Sequence, residues 1–475
     1  MSTISSSPVP SVGIQPAMLS QTDVDRAQAK PSAHYRVYFL AAIFILLTTG
    51  AGWGTWFLWQ IAVAGKVTGV SLHQINAHGQ TVLYGFLGLF IMGFAYQAFP
   101  RLWQRPLAWP ALCRVAFVAS VAGMAMLVLS ELRAELPDAP ALAIGGGIIH
   151  TIGVLLFCIQ MLATFRRGPT PLNAVTATLL VATGFFLLHT PLNAIHTFNL
   201  VSTESKYEAI HLTSVYQPAL RYLQLHGMVL LMVIGVSSRL LTSFYTIPKP
   251  SERKLWTILI VITLSVLLEA GLFVAFRYTE IHWIAAFLLI PWLAILICSI
   301  ALVVPWKLWH PLRDPMGRVD RSSKFVRASF AWLIVSLLMT IALPGWSRLV
   351  DTYFSHAWYG ASRQAFTVGF ATMMIIAFSS RIVPTLNGIY PNTLGRLAGP
   401  FGLINVGLAL HVVFQISLDL HPAFAYGLPI AGVMQWIGIA WWAMHLIQCI
   451  WTGSRRTEPS PRQASGVQLR VLNKL

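Results

Sequence analysis

Twelve runs of about 20 apolar residues, separated by short polar loops, occupy nearly the whole chain and leave it only one suitable solvent. A helix needs about 20 such residues to cross about 30 Å of hydrocarbon. Inside lipid, only helices and closed barrels satisfy every backbone N–H and C=O. The runs lie near residues 37–62, 78–100, 109–131, 141–164, 172–197, 220–245, 256–276, 283–305, 326–345, 363–386, 398–417 and 424–450, numbered here as spans 1 to 12. They predict an all-α polytopic protein with one transmembrane domain over residues 37–452. A Ser-, Pro- and Gln-rich segment over residues 1–36 reads as a disordered tail, and residues 453–475 read as a basic tail. With 56% hydrophobic and only 10% charged residues, against about 25% charged in soluble domains, the chain could not cover a surface facing water; the lipid bilayer is its expected partner.

The net charge of +17 does not point to nucleic acid, because the basic residues sit in short loops between apolar runs. Positive charge there orients membrane proteins. Assigning each of the 32 Lys and Arg residues to its nearer face gives 25 on one side and 7 on the other. The even number of spans then places both termini on the basic, cytoplasmic side. The four cysteines, Cys113, Cys158, Cys298 and Cys449, lie inside apolar runs without a CxxC pair and indicate no disulfide framework.

Spans 2, 6 and 10 repeat one another. Gly85, Gly227 and Gly369 are spaced by 142 residues, and so are Gly93, Gly235 and Ala377. The agreement continues in Ser237-Ser238-Arg239 and Ser379-Ser380-Arg381. Each match falls on the second span of a set of four, which predicts three pseudo-repeats of four helices. The glycines, eight residues apart and near one face, allow close helix approach.

Fourteen histidines are many for so apolar a chain, and eleven fall in the outer loops or outer halves of spans. Those within helices are His78, His150, His189, His196, His226 and His411. A polar group in hydrocarbon is costly unless partnered. For any single histidine an interhelical hydrogen bond suffices, but the set shares one layer, and imidazole suits haem iron, copper and zinc. His78, His226, His189, His150 and His411 are therefore the candidate ligands. His189 and His196 lie about 10.5 Å apart along their helix and cannot share an ion; a shared site needs one of them and a histidine from another span. Glu269 is expected to pair with Arg277, and Arg239 and Arg381 to snorkel toward the inner interface.

The stretch Ala77-His78-Gly79 through Tyr96, Pro100 and Arg101 is similar to the second helix of haem–copper oxidase subunit I, also a protein of twelve helices in three sets of four. The similarity implies an axial haem-ligand role for His78. Span 10, from Ser362 to Pro384, has no histidine, and no adjacent histidine pair stands near His282, so oxygen-reducing, proton-pumping chemistry is not expected. A closer resemblance is to the NnrS family, twelve-span bacterial haem- and copper-containing membrane proteins linked to nitric oxide tolerance. It rests on His78 with Gly85-Phe86, on the segment Ser238-Arg239-Leu240-Leu241-Thr242-Ser243-Phe244, and on Ala365-Phe366-Thr367-Val368-Gly369 through Met373 and Arg381. It implies haem b, with copper as a second metal, in the bacterial inner membrane. It also implies a respiratory electron donor and a function in nitric oxide response or respiratory redox metabolism. In enzymatic form this would be a membrane oxidoreductase. The chain departs from the family pattern at Gln80 and Gln364, where the family has histidine. The alternative is a cofactor-free transporter, or an accessory or structural subunit of a respiratory complex whose partner docks on the loop from Lys307 to Arg327.

Overall fold

Apolar side chains all around a segment leave the backbone helical, and polar caps at Ser71, Asn173, Ser205, Ser251 and Ser355 mark where five of the helices begin. The computed structural model describes residues 34–168, 171–391 and 394–455; the two tails expected from the sequence fall almost wholly outside these. Among the described residues are twelve helices long and apolar enough to cross a membrane: α1 (His34–Ala64), α2 (Leu72–Leu102), α3 (Leu112–Leu132), α4 (Ala139–Arg166), α5 (Ala174–Ser202), α6 (Lys206–Phe244), α7 (Glu252–Thr279), α8 (Trp283–Trp306), α9 (Ser323–Leu349), α10 (His356–Leu386), α11 (Ala398–Ser417) and α12 (Pro422–Thr452). Among the described residues the only β pairing is an isolated bridge between Arg313 and Val319. The chain is a multi-pass, all-α membrane protein.

Each helix packs against the next, and α12 returns to pack against α1. Within this ring the second helix of each set lies innermost. In α2, α6 and α10, 78%, 67% and 72% of the apolar stretch is buried, against 39–61% in the other nine. The inner helices touch one another through the rings of His226 and Phe366 and of Phe94 and Phe378, and through the hydrogen bond from Gln217 to Asn76.

The 142-residue period is visible in the backbone itself. Each inner helix widens into an eight-residue π-helical stretch, at Thr81–Gly88, Leu223–Leu230 and Ala365–Thr372. These stretches start 142 residues apart, and Gly85, Gly227 and Gly369 lie inside them. A methyl group at these glycines would come within 2.7 Å of Ile45 on α1, 2.6 Å of Phe185 on α5 and 2.5 Å of Trp332 on α9. In all three sets the glycine is therefore the seat of the first helix. π-Helical turns are rare and concentrate at functional sites.

The inner helices start earlier than hydropathy predicts: α2 six residues before 78, α10 seven before 363, and α6 fourteen before 220. The added turns are polar and held by caps. The Ser71 hydroxyl accepts from the Gln74 N–H in a capping box, and Ser205 and Ser355 accept from the Glu208 and Trp358 N–H groups. A second correction concerns Arg381. It does not snorkel; it pairs with Asp320, which is buried and also accepts from Tyr245 at 3.3 Å. The next residue, Arg321, donates to the Ser380 and Gly395 carbonyls at 2.7 and 2.9 Å. The segment Asp320–Ser322 thus tucks beneath α10, and the repeat-equivalent Arg239, with no such segment below it, is exposed.

Candidate functional site

The candidate histidines separate into three clusters, one at each interface between neighbouring sets of four helices.

Between the third and first sets lies a cavity of about 100 Å³, lined by α1, α2, α10, α11 and α12. His78, Gln364, His411 and Gln435 contribute its polar side chains, together with Thr55, Thr367 and Thr372. The Nδ1 of His78 lies 3.2 Å from the Thr49 carbonyl. A carbonyl only accepts, so Nδ1 carries the proton and Nε2 keeps a lone pair. Thr49 is free to accept because α1 is π-helical over Leu46–Gly50 and leaves regular geometry at Gly50 (φ −84°, ψ −107°). Gly54 leaves room beside the ring, for a methyl there would stand 3.6 Å from Nε2. His411 is placed differently. Gln435 Nε2 donates to its Nδ1 at 3.1 Å, and its Nε2–H donates to Gln415 at 2.9 Å. Both nitrogens are engaged, and His411 offers the cavity no lone pair.

Between the first and second sets, His150 on α4 and His189 on α5 flank the ring of Tyr84 on α2, with centroids 4.5 and 5.5 Å away. His150 Nδ1–H donates to the Ser120 carbonyl at 2.9 Å, which makes its Nε2 an acceptor. His189 Nδ1 faces the Tyr84 hydroxyl at 3.2 Å and the Gln224 amide nitrogen at 3.5 Å. The amide can only donate, so the proton of His189 stays on Nε2. Both Nε2 atoms are buried without a hydrogen-bond partner, one a donor and the other an acceptor. His196, two turns beyond His189, lies instead against Tyr216.

Between the second and third sets, His226 Nδ1 meets Glu269 Oε1 at 2.6 Å, and both side chains are buried. Tyr222 stacks on the imidazole and Phe366 meets it edge-on. The expected pairing of Glu269 with Arg277 does not form. Arg277 lies two turns nearer the C-terminal end of α7 and donates to Ser214 at 3.1 Å, whereas Glu269 faces inward. Glu269 and Trp292 Nε1 are buried facing one another.

Thus the structure brings together His78 with His411 and His150 with His189, and it pairs His226 with a carboxylate. It does not bring His78 and His226 into one site. Among the described residues, no three His, Cys, Asp or Glu side chains converge as a metal-binding group. The expectation drawn from Gln364 gains a location, since that side chain lines the same cavity as His78. Two residues outside the sequence-based candidates also belong to this layer: Arg221, buried at 7% exposure, and Arg363. Their signal was in the repeat, because positions 79, 221 and 363 are 142 apart. No known family model matches this chain, and no curated protein matches it.

Proposed function

We propose that this chain is a haem-binding protein of the bacterial inner membrane, with both termini cytoplasmic, acting in nitric oxide response or respiratory redox metabolism. The observation that carries the reading is the placement of His78. Its Nδ1–H is fixed on a backbone carbonyl while Nε2 stands beside a cavity among five helices. An imidazole that ligates a metal almost always donates its other N–H in this way. The donor set fits one strong axial ligand. Gln364, His411, Gln435 and the three threonines on the wall supply no second imidazole lone pair. The cavity, about 100 Å³, is smaller than the roughly 300–1,000 Å³ of ordinary ligand sites, so the site would have to widen to hold a macrocycle. Bound haem would supply either an open iron position for a diatomic ligand or an electron-transfer centre served by a respiratory donor. The chain's own part is to hold His78 in one tautomer and to surround it with apolar walls. Copper, the second metal the resemblance implies, has its best nitrogen donors in His150 and His189, where His189 would first move its proton from Nε2 to Nδ1.

The test is the visible spectrum of the protein purified in mild detergent, oxidised and dithionite-reduced, with metal analysis. A haem band that His78→Ala abolishes and His411→Ala leaves in place is the expected outcome. A colourless, metal-free protein overturns haem binding, and an unchanged spectrum in His78→Ala overturns the ligand assignment alone.

A further inference from the structure

Charged side chains inside a membrane protein are costly and ordinarily find opposite charges. Arg221 does not. It projects from α6 into the interior, donates from Nη1 to Gln224 Oε1 at 2.6 Å, and lays its other end over Gly79 of α2. A methyl at Gly79 would stand 2.8 Å from Arg221 Nη2. Arg363 of α10, the repeat equivalent of both positions, is close enough for its charge to bear on Arg221. It lies over the ring of Tyr359 at 4.0 Å and donates to that residue's hydroxyl. Among the described residues, no Asp or Glu oxygen lies within 4 Å of either guanidinium. The two buried carboxylates of this layer are committed elsewhere, Glu131 to His73 and Glu269 to His226, each at 2.6 Å.

The repeat explains the geometry. Positions 79, 221 and 363 stand at the same register of the three inner helices. Two carry guanidinium groups and the third carries no side chain, so a hollow opens on the α2 side and Arg221 leans into it. Two like charges face the same interior, and no carboxylate among the described residues makes an ion pair with either. Guanidinium is a flat fork of donors that matches a flat anion with two oxygens better than a spherical one.

We propose that Arg221 and Arg363 form a binding site for a small planar oxyanion, of carboxylate or nitrite geometry, where α2, α6 and α10 meet over Gly79. The site stands without haem. The shared chemistry admits two sources, a free anion or the carboxylates of a bound haem, and haem-free and haem-loaded protein tell them apart.

The experiment is a titration of the purified full-length chain with formate, nitrite and nitrate against chloride at constant ionic strength, read as the thermal unfolding midpoint. The midpoint should rise saturably with the planar anions and not with chloride. Arg221→Gln and Arg363→Gln should abolish the response. Arg221→Lys should raise the half-saturating concentration about tenfold, the effect of losing one charge-assisted hydrogen bond. Arg277→Gln, away from the site, should respond like the parent. Haem-loaded protein that no longer responds assigns the site to the haem's own carboxylates, and an undiminished response assigns it to a free anion. No advantage of planar anions over chloride, or an unaltered response in Arg221→Gln, overturns the proposal. Should Arg221→Gln fail to fold, Gly79→Ala serves in its place. Its methyl displaces the guanidinium, so an unchanged half-saturation there overturns the site equally.

Discussion

Replacing Glu269 by Leu should destabilise the protein severely, and replacing His226 by Leu as well should restore most of the loss. Glu269 is wholly buried and His226 nearly so, with the carboxylate and imidazole 2.6 Å apart. Neither has water to fall back on. Removing one partner of such a pair leaves the other uncompensated and costs about 3–5 kcal/mol, whereas replacing both by apolar residues of similar volume is neutral or stabilising by about 1–4 kcal/mol. Trp292 Nε1 also faces Glu269, so the pair recovers much of its desolvation and the double variant is expected close to the parent. The assay is a double-mutant cycle read by circular dichroism as the protein unfolds reversibly in mixed micelles of rising SDS fraction. Two single losses that simply add in the double variant, to within about 0.5 kcal/mol, would refute the argument, for they would mean that the two groups do not hold one another.

Arg381→Ala should cost about 3–5 kcal/mol, because it strands buried Asp320, while Arg239→Ala at the exposed repeat-equivalent position should stay within about 0.5 kcal/mol; the same SDS titration checks both. Gly123→Ala should cost about 1–3 kcal/mol, since its methyl would run into the His150 backbone, which cannot yield as a flexible side chain does. Gly184→Ala, with nothing within 4 Å and a helical backbone, should instead stabilise by about 0.4–1 kcal/mol, measured as a shift in unfolding midpoint. If His78 holds haem as proposed, Gln435→Ala should loosen His411 without removing the haem, because the amide donates to His411 Nδ1 and to the Gly407 and Ala431 carbonyls; the reduced visible spectrum of the variant should keep the parent's bands.

What the sequence made legible was depth. Hydropathy and charge place each residue along the membrane normal, and that suffices for twelve helices and for an outer layer of histidines. The repeat was legible too, because close helix contacts require glycine, and glycine at a constant offset survives as a pattern. The starts of α2, α6 and α10 were hidden because capped polar turns do not resemble a span. Azimuth was not legible. Glu269 and Arg277 are eight residues apart on α7, roughly 12 Å along its axis and about 80° around it, and that rotation sends one inward to His226 and the other to Ser214. The same blindness left open which histidines face one another, and they divide among three separate interfaces.

That separation follows from the repeat and shows how one scaffold supports different chemistry. Glu269 and His411 stand 142 residues apart at equivalent places on α7 and α11. Glu269 reaches the inner helix of its own set and forms an acid–imidazole pair. His411 turns to Gln415 and Gln435, which fill both its nitrogens and leave the adjoining cavity to His78. At the remaining interface the equivalent position is Leu127, and the polar groups come from α4 and α5 as two imidazoles with unpartnered Nε2 atoms. Each interface therefore presents a different electrostatic environment: a single free lone pair, a donor and an acceptor, and a carboxylate. Ligands of different charge would sort among them, with a divalent or monovalent metal drawn to nitrogen, a proton to the Glu269 pair, and an anion to Arg221 and Arg363 at the centre. If the three interfaces act independently, His78→Ala, His150→Ala and His226→Leu should perturb separate observables, namely the haem band, the copper content and the stability in SDS. A variant in one cluster that moves all three readouts together would show instead that the widened turns of the inner helices couple them.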